Sequence, residues 1–258
     1  MPGSQLPLAL TMGDPAGVGP MISWKAWHAR KPGQRPFYVI APTDVMARAS
    51  ESGRASLQKI KSPAEAAGVF GSALPVLEIP GPSASPGKPD ASNAPTIIES
   101  IRLAVEHTRA GKAAAVVTNP IAKALLYRAG FKHPGHTEYL AELAADKGKA
   151  PRAVMMLVGG GLRVALVTIH QPLAKVVKSL NTNLVVEIGS IVHNDLYSAF
   201  GMKKPRIGLC GVNPHAGEDG EIGREEIEII NPAAVKLRAK GIDISDARPG
   251  DTVFHEAR

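Results

Sequence analysis

Short apolar runs and stretches of helical period take turns along this chain. Residues 6–12, 37–41, 76–79 and the strongly apolar 113–118 have strand length and strand composition. Ile22, Trp24 and Trp27 mark a helix after residue 20, and a second is expected over 44–52. Ile98, Ile101, Leu103 and Val105 place a long helix from Thr96 to about Gly111. Asn119-Pro120 then reads as a helix start, with Asn119 as the cap and Pro120 in the first turn. Another helix is expected from Tyr139 to about Asp146. Two apolar runs, 153–158 and 162–168, flank Gly159-Gly160-Gly161, which predicts a tight β-hairpin. A helix over 182–200 follows. Residues 207–210 read as a short buried strand, broken by a glycine-rich turn. Beyond it Ile227, Ile230, Ala234 and Leu237 carry helical spacing through 224–240. Two last structured stretches are 242–245 and 251–254. Residues 81–95, rich in Pro, Gly and Ser, form a surface loop.

Strands alternating with helices predict an α/β fold with a largely parallel sheet. The hairpin at 159–161 is an antiparallel excursion after about residue 150, which gives a two-lobed architecture. The first lobe is set at residues 1–130 and the second at 131–258.

Composition narrows the class. At 258 residues, with few aromatics, the core must be built from Ala, Val, Ile and Leu, as buried parallel strands usually are. The single cysteine, Cys210, cannot form an internal disulfide, which suits a reducing cytoplasm. Its place in an apolar run reads as a small buried hydrophobe. No run reaches transmembrane length, and the start lacks the charged region of a signal peptide. The formal charge of +7 is scattered rather than clustered. That argues against a nucleic-acid face and fits phosphorylated small molecules.

Four places carry candidate chemistry. Residues 13–20, Gly-Asp-Pro-Ala-Gly-Val-Gly-Pro, follow the first strand as a dinucleotide loop would. The spacing is not that of a Rossmann fingerprint, however, and Pro15 and Pro20 remove N–H groups a pyrophosphate needs. His136-Thr137 opens a helix, where a histidine, a hydroxyl and backbone N–H groups can meet an anion. The plain alternative, a cap built by Thr137, leaves His136 unexplained. His170 lies at the end of a strand, just before a helix. His215 sits in a glycine loop after a strand, flanked by Pro214 and Gly217, and in open α/β sheets ligands bind at such loops. Neutral imidazoles suit Zn, Co or similar divalent ions, and a carboxylate such as Asp251 completes a mixed N/O set.

GDPAGVGP, VTNPIAKALLYRAGFKHPGHTEYLAELA, MMLVGGGLRVALVTIHQPL and LCGVNPHAGEDGEIGREEI occur in this order across essentially the whole chain. Together they resemble the 4-hydroxythreonine-4-phosphate dehydrogenase family. The resemblance implies an isocitrate-dehydrogenase-like fold without a Rossmann fingerprint, and a homodimer whose active site is shared. It implies oxidation of a secondary alcohol by NAD or NADP, then loss of carbon dioxide, within pyridoxal phosphate biosynthesis. A divalent metal (Zn, Co or Mg) would be held by His170 and His215, with Asp251 a catalytic acidic residue beside it. His136 and Thr137 would contact substrate. The second lobe would carry the metal histidines and the dimer contacts. Family members continue beyond the position of Arg258, with strands that complete the first lobe and a third metal histidine in a Tyr-His-Asp-Gln motif. That motif does not occur in this sequence, which sets an expectation of weak or absent turnover. The cofactor-binding residues stay unassigned. Competing readings are a paralogue acting on a four-carbon sugar-acid phosphate or a dihydrodiol carboxylate, and a non-catalytic binding module on the same scaffold.

Overall fold

The structure, a computed structural model, describes residues 5–50, 56–82, 84–133 and 135–256. Contact clustering divides the chain into two compact units, with the break after Ala153.

In the first unit, β1 (Leu8–Thr11), β2 (Phe37–Ala41), β3 (Leu57–Ile60), β4 (Leu74–Glu78) and β5 (Ala115–Val117) form one sheet in the order β3-β4-β2-β1-β5. Every pairing in it is parallel. Helices α1 (Gly19–His28), α2 (Thr43–Arg48), α3 (Ala66–Val69) and α4 (Ala94–Arg109) connect the strands, and α5 (Lys123–Arg128) and α6 (His136–Leu143) follow. The strand pleat sends alternate residues to opposite faces. Leu10, Met12, Val39 and Val76 pack with Trp24, Trp27, Met46 and Ile101. Ala9, Tyr38 and Ile40 pack with Ile60, Val69 and Ala104 in a second cluster. Covering on both sides is why these strands read as nearly continuous apolar runs. Trp24 Nε1 donates to the Met46 carbonyl at 2.7 Å, and Trp27 Nε1 to the Phe70 carbonyl at 2.9 Å. Each buried indole thus keeps its polar end satisfied.

From β1 the chain winds outward to β2 and later returns to place β5 on β1's other side. The carboxyl ends of β1 and β5 therefore border the topological switch point, the usual ligand crevice of such sheets. Asn119 ties the two ends together. Its Nδ2 donates to the Thr11 carbonyl and to Ser23 Oγ, both at 2.9 Å. This overturns the expectation that Asn119 caps a helix and that Pro120 begins one. The amide is committed to a neighbouring strand and to α1, and the next helix begins only at Lys123. The expected helix over 44–52 ends at Arg48, and its residues Glu51 and Ser52 lie outside the described residues.

In the second unit, β6 (Met156–Gly159) and β7 (Leu162–Ala165) form the expected antiparallel hairpin. Helices α7 (Leu173–Ser179) and α8 (Thr182–Ser198) follow, then β8 (Arg206–Cys210), α9 (Asn231–Arg238), β9 (Asp243–Arg248) and α10 (Val253–Glu256). A wide helical turn, Glu226–Ile230, leads into α9. β8 and β9 pair in parallel. One face of this pair is covered by Ile207, Leu209 and Ile244 packing against Ala234 and Leu237. Cys210 falls on the other face and is exposed, contrary to the buried hydrophobe expected. α8 and α9 approach closely at Gly189, where a Cβ would sit 2.7 Å from Leu237 Cδ1.

The break after Ala153 lies beyond the expected 130/131 boundary. Residues 131–133 and 135–143 stay with the first unit because Phe131, Tyr139, Leu140 and Leu143 pack into its core. Arg109 also donates to the Leu143 carbonyl at 3.1 Å.

Candidate functional site

The loop after β8 has unusual backbone. His215, Ala216, Gly217, Glu218 and Asp219 all take left-handed conformations, with φ of 52°, 56°, 86°, 44° and 53°. Four of these are not glycine, and at about 1–2 kcal/mol each the turn stores roughly 4–8 kcal/mol that its surroundings must offset. Gly217 is required sterically as well. A Cβ there would lie 2.6 Å from the Gly223 carbonyl oxygen and 2.9 Å from Glu226 Oε2.

Glu226 closes the base of the loop. It is 2 % exposed, and its Oε1 accepts from the backbone N–H of Val212 at 2.7 Å and of Asn213 at 2.8 Å. Its Oε2 accepts from Asn213 Nδ2 at 2.9 Å. Burial alone would raise this carboxyl. The N–H donors at Asn213 and Val212 outweigh it and hold the group below the usual carboxylate range.

The loop presents His215 outward. Its Nδ1 lies 3.7 Å from Asp251 Oδ2, and both side chains are more than half exposed. A pair so exposed contributes little to stability, so its interest is chemical: an imidazole nitrogen and a carboxylate oxygen side by side. His170 belongs to the same unit. It occupies an exposed bend after β7, also left-handed at φ 52°. The next residue anchors that bend, because Gln171 Nε2 donates to Ser179 Oγ at the end of α7, 2.8 Å away. Among the described residues no cluster of three or more His, Cys, Asp or Glu is placed to hold a metal ion. The donor types at His170, His215 and Asp251 nonetheless suit a divalent cation of borderline hardness.

His136 and Thr137 lie in the first unit, in the first turn of α6. That helix has no side-chain cap, so its N-terminal N–H groups are open to an acceptor. His136 Nε2 is buried without a hydrogen-bond partner. Burial pushes its imidazole below the usual value, and the Lys123 ammonium adds to the effect. Lys123 Nζ lies 3.2 Å from where a Cβ on Gly135 would stand, so this lysine sits over the entry to α6. Pro134, the preceding residue of the motif, lies outside the described residues.

In the glycine loop after β1, two glycines sit hard against neighbouring backbone. A Cβ on Gly13 would lie 2.6 Å from the Pro120 carbonyl oxygen, and one on Gly19 would lie 2.4 Å from that of Met12. Both glycines serve close approach of chain to chain. A groove of about 580 Å³ beside the loop, walled by Pro15, Val18, Met21, Val45 and Pro86, contains none of His136, Thr137, His170, His215 and Asp251.

Sequence reasoning missed Glu226, Asn213 and Lys123. Glu226 had a visible signal. It stands at the helical spacing of Ile230, Ala233 and Leu237, all buried, whereas Ile227 is exposed. An acid on an apolar stripe is a group that something nearby must satisfy.

Comparison with known proteins converges on one family. Residues 33–258 match the family model described as Pyridoxal phosphate biosynthetic protein PdxA. A 4-hydroxythreonine-4-phosphate dehydrogenase of Bradyrhizobium diazoefficiens is 49% identical over 262 residues, covering 97% of this chain and 76% of the relative. One from Caulobacter vibrioides is 48% identical, covering 98% and 76%. The crystal structure of the Klebsiella pneumoniae enzyme of the same name superposes with a TM-score of 0.86 at 32% identity, over 98% of this chain and 78% of that one. A terephthalate 1,2-cis-dihydrodiol dehydrogenase from Burkholderia xenovorans is more distant, with a TM-score of 0.66 and 26% identity, over 98% and 76%. The chain thus spans about three quarters of the length of these relatives, and it belongs to the PdxA family.

Proposed function

We propose that this chain oxidises the secondary alcohol of 4-phosphohydroxy-L-threonine with a nicotinamide nucleotide, and that the product then loses carbon dioxide to give 3-amino-2-oxopropyl phosphate. The observation that carries this reading is 49% identity across 97% of the chain to a relative of that activity. Electrons balance without a further reactant: the carbinol hydride passes to NAD or NADP and the hydroxyl proton to solvent. The carboxylate of the resulting β-keto acid then departs as carbon dioxide, and the electron pair it leaves is protonated.

The residues divide the work. His170 and His215 offer imidazole nitrogens and Asp251 a carboxylate oxygen, a set for one Zn, Co or Mg ion. Such an ion acidifies an alcohol and draws off the charge that builds during decarboxylation. His136, kept neutral by burial, can exchange a hydrogen bond with the substrate through Nε2. Thr137 and the open N–H groups of α6 suit an oxyanion such as phosphate or carboxylate. The family implies a homodimer with a shared active site, and we extend both features to this chain. The lone cysteine supports a reducing compartment, and we assign the reaction to the cytoplasm. Among the described residues no helix is long and apolar enough to cross a membrane.

The test is steady-state turnover with 4-phosphohydroxy-L-threonine, NAD or NADP, and each metal in turn. The expected result is nicotinamide reduction matched one-to-one by carbon dioxide, above the metal-free and His215→Ala backgrounds. Absence of any substrate-dependent reduction would overturn the reading. Preference for a dihydrodiol carboxylate would move the chain toward its more distant relative.

A further inference from the structure

We propose that Glu226 is a positioning residue for metal binding: its buried carboxylate clamps the base of the left-handed loop and so aims His215 beside Asp251. This rests on the metal reading of His215 given above and adds to it the group that sets the geometry.

Three observations carry it. The carboxylate takes both consecutive N–H groups, Val212 and Asn213, that lead into the loop. It also takes the Asn213 side-chain amide, whose nitrogen donates in turn to Glu225 Oε2 at 2.7 Å. Finally, Glu226 fills the space against which the loop turns. A Cβ on Gly211 would lie 3.0 Å from its Oε1, and one on Gly217 would lie 2.9 Å from its Oε2. Glycine at both positions lets the loop close around the carboxylate. No other side chain accepts the Val212 and Asn213 N–H groups in the described structure. The turn from 215 to 219 is strained, and a strained turn persists only where neighbouring contacts over-determine it.

Glutamine at 226 keeps the shape and one acceptor oxygen but turns an N–H₂ group toward a donor. With the Val212 and Asn213 N–H groups on the remaining oxygen, the amide nitrogen faces Asn213 Nδ2, donor to donor. The clamp loses its bond to the Asn213 side chain and its charge, while the rest of the unit keeps its packing.

The experiment titrates Co²⁺ alone into wild type, Glu226→Gln, Asn213→Ala, His215→Ala and the Glu226→Gln/His215→Ala double variant. Visible absorption and calorimetry report binding, and amide hydrogen exchange reports Val212 and Asn213 without metal. Disturbing a group that orients a metal ligand typically costs about 10–100-fold in affinity, and that loss is expected for Glu226→Gln. Asn213→Ala should fall between it and wild type. In the His215→Ala background, Glu226→Gln should change affinity less than twofold, because its route to the metal is gone. Protection of the Val212 and Asn213 amides, left on a single uncharged oxygen, should fall in Glu226→Gln.

Equal losses in both backgrounds would overturn the proposal, since they would mark a general structural role. Unchanged affinity with unchanged amide protection would overturn it too. If wild type takes up no Co²⁺, the metal reading of His215 fails by itself. The amide exchange then still decides whether Glu226 holds the loop.

Discussion

Replacing Asn119 with alanine tests whether the switch point of the first unit is held by a single side chain. Asn119 is 5 % exposed, and its Nδ2 serves the Thr11 carbonyl at the end of β1 and Ser23 Oγ in α1. Truncation leaves that buried carbonyl without its donor, at about 1–3 kcal/mol. The lost amide atoms leave a void of order 25 Å³, adding about 0.6 kcal/mol at ~24 cal/mol per Å³. The total is about 2–4 kcal/mol. The chain has two tryptophans, Trp24 and Trp27, both in α1. Indole fluorescence during urea unfolding therefore reports the first unit alone, which matters in a protein of two units. With a slope of about 2 kcal/mol per M, the midpoint should fall by about 1–2 M at unchanged slope. A fall under about 0.3 M would refute the claim that Asn119 ties β1, β5 and α1 together.

Three further outcomes follow from individual contacts. Tyr38 Oη and His107 Nδ1 lie 2.9 Å apart in the core, so Tyr38→Phe should cost about 1–2 kcal/mol by the same fluorescence assay, and a neutral result would contradict the pairing. Burial lowers the His107 imidazole below its ordinary value; Lys112 and Arg102 lower it further, against a raising effect of Glu106. The unfolded chain then binds the extra proton first. First-unit stability should be full above about pH 6.5 and decline as pH falls from there through the folded pKa. A His107→Gln variant should flatten that decline, and an unchanged slope would exclude His107 as its source. Gly217→Ala forces a side chain against the Gly223 carbonyl and Glu226, costing about 2 kcal/mol or more, which circular dichroism should register as a fall in melting temperature.

The order of strands and helices was readable because the first sheet is covered on both faces, so its strands are apolar throughout. β3 escaped notice: its Gln58 and Lys59 are exposed at the sheet edge, and the run lacks an apolar signal. Asn119-Pro120 has the local chemistry of a helix start, yet a long-range contact with β1 claimed its amide. Local propensity lost to tertiary demand there. Cys210 looked buried because it sits in an apolar run read as a buried strand, whereas alternate residues of β8, Arg206, Gly208 and Cys210, are exposed. His136, Thr137, His170, His215 and Asp251 were singled out by their places in loops and at element ends, and motif resemblance then suggested their roles; periodicity pointed to none of them. Glu226 could have been found from the helical repeat, by asking why an acid shares the stripe of Ile230 and Leu237.

The central proposal is that His170, His215 and Asp251 hold one divalent cation, although no such cluster of three is preassembled among the described residues. Anomalous diffraction at the cobalt edge, from crystals of this chain grown with Co²⁺, tests it most directly. The account predicts one strong peak within about 2.0–2.2 Å of an imidazole nitrogen of both histidines, with an Asp251 oxygen beside it, absent in His215→Ala. A peak elsewhere, or one on His215 with His170 turned away, would contradict it.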